Sequence, residues 1–207
     1  MKGGQTPFGD RNVSRETLER LADFEQLLKK WNPAINLVAR STLGDIWGRH
    51  FLDSVQVFDM APKDACSWAD IGSGGGFPGL VAAVLAADER PEMRVVLVES
   101  DKRKAAFLSS CSRQLNLTTT VMAERAESLE PLGVDVLSAR ALAPLDGLAA
   151  LAERHLGADG VALFPKGANH QCELNQALEN WAFTYHKEPS KTDPHSVILS
   201  IRGVTRV

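Results

Sequence analysis

The chain has 207 residues, 44% of them hydrophobic, which is enough for one α/β domain plus a small appendage. Its formal net charge of −3 excludes binding to nucleic acid by bulk charge, so any RNA contact must come from a local patch or from a larger ribonucleoprotein surface. Cys66, Cys111 and Cys172 are odd in number and show no CxxC spacing, which argues against a disulfide framework or a metal site and for reduced thiols in a cytoplasmic protein.

The first residues, "MKGGQTPFGDRN", lack the apolar stretch of a secretory leader, and no segment reaches the roughly 18 apolar residues of a membrane span. From Ser14, a plausible N-cap, Leu18, Leu21, Phe24, Leu27, Leu28 and Trp31 recur at spacings of three and four; this predicts an amphipathic helix closed by Pro33. A second helix is expected over 45–58, giving an N-terminal helical extension (1–58) before a linker at 59–66. The remainder, 66–207, is expected to pack with that extension as one unit.

Beyond the linker, strands are predicted at 67–71, 94–100, 118–122, 134–139, 160–166, 182–188 and 196–202. Helices are predicted at 79–87, 102–116, 144–156 and 169–181. Alternation of this kind predicts a Rossmann-like α/β fold, a mostly parallel sheet of seven strands covered on both faces. The last two strands have no helix between them, which predicts antiparallel pairing at one edge.

"WADIGSGGGFPG" (68–79) places a glycine cluster between the first strand and the next helix, and Glu99 ends the second strand. That is the layout of a cofactor-binding βαβ unit, with a carboxylate placed to accept hydrogen bonds from ribose hydroxyls. Two registers fit. Gly74-x-Gly76-x-x-Gly79 matches a dinucleotide loop, whereas Asp70-x-Gly72-x-Gly74-x-Gly76 puts an acid at the strand end, facing the ligand. An acid repels a pyrophosphate and suits the ammonium and sulfonium of S-adenosylmethionine, so the second register is preferred.

"RHFLDS" (49–54), "ADIGSGGGFPG" (69–79), "VESDKRKAAFL" (98–108), "ERAE" (124–127), "SARALAPL" (138–145) and "PKG" (165–167) together resemble the small-subunit rRNA guanine-N7 methyltransferases, the glucose-inhibited division protein B family, over about residues 31–200. The resemblance implies a class I methyltransferase that uses S-adenosylmethionine, releases S-adenosylhomocysteine, and methylates a guanosine of 16S rRNA within the 30S subunit or an assembly intermediate. It also implies cofactor contacts at Gly72, Phe77, Ala126, Glu127 and Arg140, with "ERAE" just after the third strand, where methyltransferases place contacts to the adenine. The residues add Ser73, Gly74 and Glu99 to that set, because glycine lets backbone approach the donor and Phe77 can cover its methionine end. Phe77 and Pro165 stand where the family usually has leucine.

Substrate-side candidates are Arg140, Lys166, His50, Asp53 and Arg103. His50 and Asp53 share a helix face at a spacing of three, Lys166 follows the fifth strand where it can meet phosphate, and Arg103 sits in a short basic run. None is expected to be an obligatory general base, since guanine N7 has no proton to lose. The sequence lacks the Pro-Pro-aromatic motif of amine methylation and the Pro-Cys nucleophile of cytosine C5 methylation. A monomer is expected, with no metal and no membrane partner. The alternatives are a small-molecule methyltransferase of the same fold and a non-catalytic NAD-binding or nucleotide-binding domain.

Overall fold

The structure, a computed structural model, describes Phe8, Gly9 and residues 11–207; most of the N-terminal stretch read above for a leader lies outside them. Seven strands form one sheet: β1 (Ser67–Ile71), β2 (Arg94–Val98), β3 (Thr119–Met122), β4 (Val134–Ser138), β5 (Leu156–Lys166), β6 (Trp181–Pro189) and β7 (Val197–Arg206). Their order is β3-β2-β1-β4-β5-β7-β6. The first five pair in parallel, and β7 is antiparallel to both neighbours, inserted between β5 and the edge strand β6. The order reverses at β1 and β4, so their carboxyl ends open the crevice in which α/β sheets bind ligands.

The helices are α1 (Arg15–Ile35), α2 (Leu52–Met60), α3 (Gly79–Glu89), α4 (Lys102–Gln114), α5 (Leu145–His155) and α6 (His170–Asn180). Side chains alternate across the strands, so the sheet separates two apolar layers. Trp68, Val95, Leu97, Val136 and Leu163 pack with α1 to α4 on one face, and Ala69, Ile71, Val98, Leu137 and Phe164 with α5 and α6 on the other. Leu21, Phe24 and Leu28 of α1 and Phe58 of α2 are fully buried in the first layer, so the N-terminal helices share its core. Among the described residues no helix is long and apolar enough to cross a membrane.

Ser14 caps α1 as expected, its Oγ accepting from the Thr17 N–H at 3.1 Å. The helix does not stop at Pro33. It runs to Ile35 and ends where Asn36 adopts φ +48°, its N–H bonding the Asn32 carbonyl at 3.0 Å. A proline in the last turn removes one donor without preventing the next two residues from remaining helical, and the left-handed asparagine provides the stop. The second helix opens with a π-helical turn, Trp47–Phe51, which runs directly into α2. β5 starts at Leu156, four residues earlier than its apolar run suggests.

Candidate functional site

The glycine loop joins β1 to α3. Gly72, Gly74 and Gly76 have φ of +67°, +50° and +88°, conformations that side chains adopt only with strain. Their surroundings differ. A Cβ on Gly76 would lie 2.6 Å from Leu80 and 3.0 Å from Phe24, whereas one on Gly74 would meet nothing nearer than the Gly72 carbonyl at 3.7 Å and Glu99 Oε2 at 4.0 Å. Gly76 is therefore required by packing. Gly74 keeps a cradle open beside a carboxylate.

Most of the loop's N–H groups are taken up within the protein. Gly72 and Ser73 donate to the Val98 carbonyl at 2.8 and 3.0 Å, Gly76 to the Ser73 carbonyl at 2.7 Å, and Gly79 to Asp70 Oδ2 at 3.2 Å. Glu99, just past β2, accepts from the Gly74 N–H at 2.9 Å through Oε2 and from the Asp101 N–H at 2.8 Å through Oε1. A pyrophosphate site needs such N–H groups free and no carboxylate beside them. This loop offers the reverse, and it fits a cationic ligand.

Asp70 corrects one expectation. Its side chain does not face the ligand but lies fully buried beneath the loop, accepting from Ser138 Oγ at 2.6 Å as well as from Gly79. The Trp68 indole N–H donates in turn to Ser138 Oγ at 2.8 Å. Burial pushes the Asp70 carboxyl up to about 6 against these hydrogen bonds. Its acid function is to fasten β1, β4 and the start of α3 together. Ser73 is also buried and turned inward, its Oγ donating to the Asp70 carbonyl at 2.8 Å.

Phe77 is buried among three rings and one guanidinium. Phe24 and Phe51 lie 5.2 and 5.5 Å from it, the His50 ring stacks at 5.0 Å, and the Arg140 guanidinium carbon lies 5.1 Å from its centroid. This single residue links α1 and the π-helical turn to the crevice.

Past β3, Ala126 and Glu127 begin a single 3-10 turn, Ala126–Ser128. Ala126 is buried, whereas Glu127 is exposed and pairs with Arg125 at 3.3 Å. Its own backbone N–H holds its carboxyl below the usual range. A cleft of about 140 Å³ runs between Gly72 and this turn, with Val98, Ser100 and Leu142 in its walls.

A second cavity, of about 530 Å³, holds His50, Asp53, Arg140 and Lys166 in one lining, with Leu142 and the 190–197 segment. The structure thus gathers four of the five substrate-side candidates. It leaves out Arg103, which lies at the start of α4 beside Asp101 at 3.5 Å. Arg140 follows β4 and lies 3.8 Å from Asp53 Oδ2, with no closer polar partner among the described residues. Burial lowers its affinity for a proton, opposed by Asp53 and Asp70, and raises the Asp53 carboxyl, opposed by Arg140. His50 contacts Thr42 Oγ1 through Nε2 at 2.9 Å, while its Nδ1 is buried without a partner. Burial, reinforced by Arg140 and Arg49, pushes its imidazole down to about 4, so the ring is neutral near pH 7.

Lys166, expected to meet phosphate, already has partners within the chain. Its ammonium donates to Glu173 Oε2 at 2.6 Å and to the Ala143 carbonyl at 2.9 Å, and the same Glu173 oxygen accepts from the Leu145 N–H at 3.0 Å. Lysine and glutamate therefore anchor the 141–145 strap, in which Ala141 holds the strained φ of +54°. Neither Glu173 nor the strain at Ala141 was anticipated; a carboxylate seven residues after Lys166 is a faint signal for the first, and nothing local announces the second. The 190–196 wall was also missed. It is fastened to α2 by Gln56, which donates to the Pro189 carbonyl at 2.7 Å and accepts from the Lys191 N–H at 2.9 Å.

Comparison with known proteins fits this geometry. The profile of the GidB family, rRNA small subunit methyltransferase G, matches residues 17–197. Ribosomal RNA small subunit methyltransferase G of Ruegeria pomeroyi is 55% identical over 196 residues, covering 95% of this chain and 96% of that protein. The protein of the same name from Rhodospirillum centenum is 51% identical over 200 residues, covering 97% and 89%. Among solved structures, the mitomycin 7-O-methyltransferase MmcR superposes with a TM-score of 0.60 at 14% identity, covering 91% of this chain and 68% of that one. A mutant of MtNAS in complex with S-adenosylmethionine gives 0.59 at 15%, covering 90% and 75%. These two likenesses show the fold alone. The chain belongs to the rRNA small subunit methyltransferase G family, and it is an S-adenosylmethionine-dependent rRNA methyltransferase of the class I fold.

Proposed function

We propose that the enzyme methylates N7 of a guanosine in bacterial 16S rRNA, presented within the 30S subunit or an assembly intermediate, and that it acts as a cytoplasmic monomer. The observation that carries this reading is the meeting of two compartments at Leu142. This residue lines both the cleft between Gly72 and Ala126 and the cavity that holds His50, Asp53, Arg140 and Lys166. A cavity of about 530 Å³ accommodates a flipped nucleotide.

The donor side comprises Gly72, Ser73 (through its backbone), Gly74, Phe77, Glu99, Ala126 and Glu127, with Arg140 at the junction. The open cradle at Gly74 and the Glu99 carboxylate beside it are the features that fit S-adenosylmethionine. When bound, S-adenosylmethionine supplies a methyl group activated by its sulfonium. The helical extension, of which Phe8, Gly9 and residues 11–58 are described, packs as one unit with the methyltransferase domain, 66–207: it supplies His50 and sets Phe24 and Phe51 against Phe77.

The acceptor nitrogen carries an in-plane lone pair and no proton, so no residue has to act as a general base. The contributions of the chain are orientation and charge. His50, neutral and stacked on Phe77, lines the cavity and helps to set Phe77 beside Arg140. Arg140 offers guanidinium donors to the base or its phosphate, held near the cavity by Asp53. Lys166 acts through the strap that it anchors. We leave Arg103 out of this set.

The test is methyl transfer by the purified enzyme to isolated 30S subunits and to naked 16S rRNA, followed by nucleoside mass spectrometry. The expected product is 7-methylguanosine at one position, formed faster on the particle. Methylation of a base carbon, an exocyclic amine or ribose would overturn the N7 assignment.

A further inference from the structure

The 3-10 turn at Ala126–Ser128 has little support from the sheet. It follows β3, which is short and lies at the sheet edge, paired only with β2. Support arrives from across the molecule, from two consecutive residues at the carboxyl end of α5. His155 is fully buried, and its Nε2 lies 3.0 Å from the Ala126 carbonyl. A carbonyl can only accept, so Nε2 carries the imidazole proton. Arg154 donates to the Leu129 carbonyl through both Nε, at 3.0 Å, and Nη2, at 2.6 Å. One carbonyl at each end of the turn is thus gripped from below, which leaves the opposite side of the turn facing the cleft with Gly72 and Val98.

We infer that Arg154 and His155 are positioning residues for the adenine of the methyl donor: by holding the carbonyls of Ala126 and Leu129 they fix the turn that forms the adenine wall. The inference rests on the donor-site reading given above for Ala126 and Glu127. Neither side chain touches the donor. Both act by denying the turn alternative conformations, and so they contribute more to selectivity at the purine edge than to the contacts elsewhere on the ligand. Such an arrangement is needed here because an edge strand of four residues leaves the following turn without a second neighbour.

The probes are S-adenosylhomocysteine and S-inosylhomocysteine, which differ only at the purine edge: a 6-amino group beside an acceptor N1 in the first, a 6-oxo group beside N1–H in the second. Calorimetric Kd values for both are to be measured on the full chain. The wild type should prefer the adenosyl ligand. His155→Leu, which fills the space without a donor, and Arg154→Met should each weaken S-adenosylhomocysteine binding by about tenfold, the scale of one lost hydrogen bond of this kind. Binding of the inosyl ligand should change much less, so the preference collapses, and KM for the ribosomal substrate should stay within about twofold. His155→Gln, whose amide N–H can replace Nε2–H, should restore the preference; should His155→Leu not fold, His155→Gln and Arg154→Met carry the same comparison. A preference kept intact in the loss-of-donor variants would overturn the clamp alone. Absence of any preference in the wild type would overturn the adenine assignment of the turn itself.

Discussion

The proposed donor side and the proposed acceptor side of the crevice are built in opposite ways. On the donor side, two adjacent parallel strands end in a loop whose N–H groups and neighbouring carboxylates are satisfied by one another: Gly74 by Glu99, Gly79 by Asp70, Gly72 and Ser73 by Val98. On the proposed acceptor side, four distant segments converge around one cavity, where the Arg140 guanidinium is held only loosely by Asp53 at 3.8 Å and is followed in the chain by the strained Ala141. On the reading proposed above, a small, constant ligand is served by a loop braced within itself, and a nucleotide of a large RNA by a guanidinium that is positioned but only loosely engaged.

The sharpest way to break this comparison is within the loop. Gly76→Val should cost about 3–5 kcal/mol of stability, because overpacking against Leu80 and Phe24 adds to a left-handed β-branched backbone. Gly74→Ala adds strain of about 1–2 kcal/mol but meets open space, so it should fold and still bind S-adenosylhomocysteine poorly. Thermal melts paired with calorimetry separate the two, and equal destabilisation would erase the distinction. Next in size, Arg140→Ala should lower the single-turnover rate about 10²- to 10³-fold, as expected for removing a group that stabilises developing charge. A smaller loss in rate than in donor affinity would move Arg140 wholly to the donor side.

Glu99→Ala should weaken S-adenosylhomocysteine binding by about 1.5–3 kcal/mol, the scale of hydrogen bonds to a charged group. Unchanged calorimetric affinity in a folded variant would remove Glu99 from the ribose. The pH dependence of stability sharpens the role of His50. Its folded pKa, about 4, lies below the ordinary 6.5, so the unfolded chain binds a proton first on acidification. Its contribution is full above pH 6.5 and is lost as pH falls toward 4. Denaturant titrations should therefore show the wild type losing stability relative to His50→Gln across that window, and a constant difference would mean that the ring is not shielded. Smallest of all, Arg103→Ala should leave stability within about 0.5 kcal/mol and methyl transfer unaltered, as for an exposed side chain away from a site.

The donor side was legible because its determinants are local. A strand, a glycine cluster and a helix occupy one short stretch, and Glu99 is marked by its place at the end of the next strand. Even there, the side-chain direction of Asp70 was misjudged, since a strand end does not reveal which face of the sheet an acid joins. Pro33 misled because the stop lies in the backbone of Asn36. On the acceptor side, residue types and the family resemblance brought His50, Asp53, Arg140 and Lys166 to notice, but not their grouping. Asp53 and Ser190 are 137 positions apart, 3.4 Å from Oδ1 to Oγ, and only the return of β7 between β5 and β6 brings that wall into place. The engagement of Lys166 by Glu173 was equally hidden, because it depends on how α6 packs beside the strap.

The most direct test is nucleoside-resolution mass mapping of 16S rRNA from a strain lacking this gene, complemented with the wild type or with Arg140→Ala. The account predicts that a single 7-methylguanosine disappears on deletion, returns with the wild type and stays absent or strongly reduced with Arg140→Ala. An unchanged complement of 7-methylguanosine in the deletion strain, with a methyl group missing elsewhere in the rRNA, would contradict it.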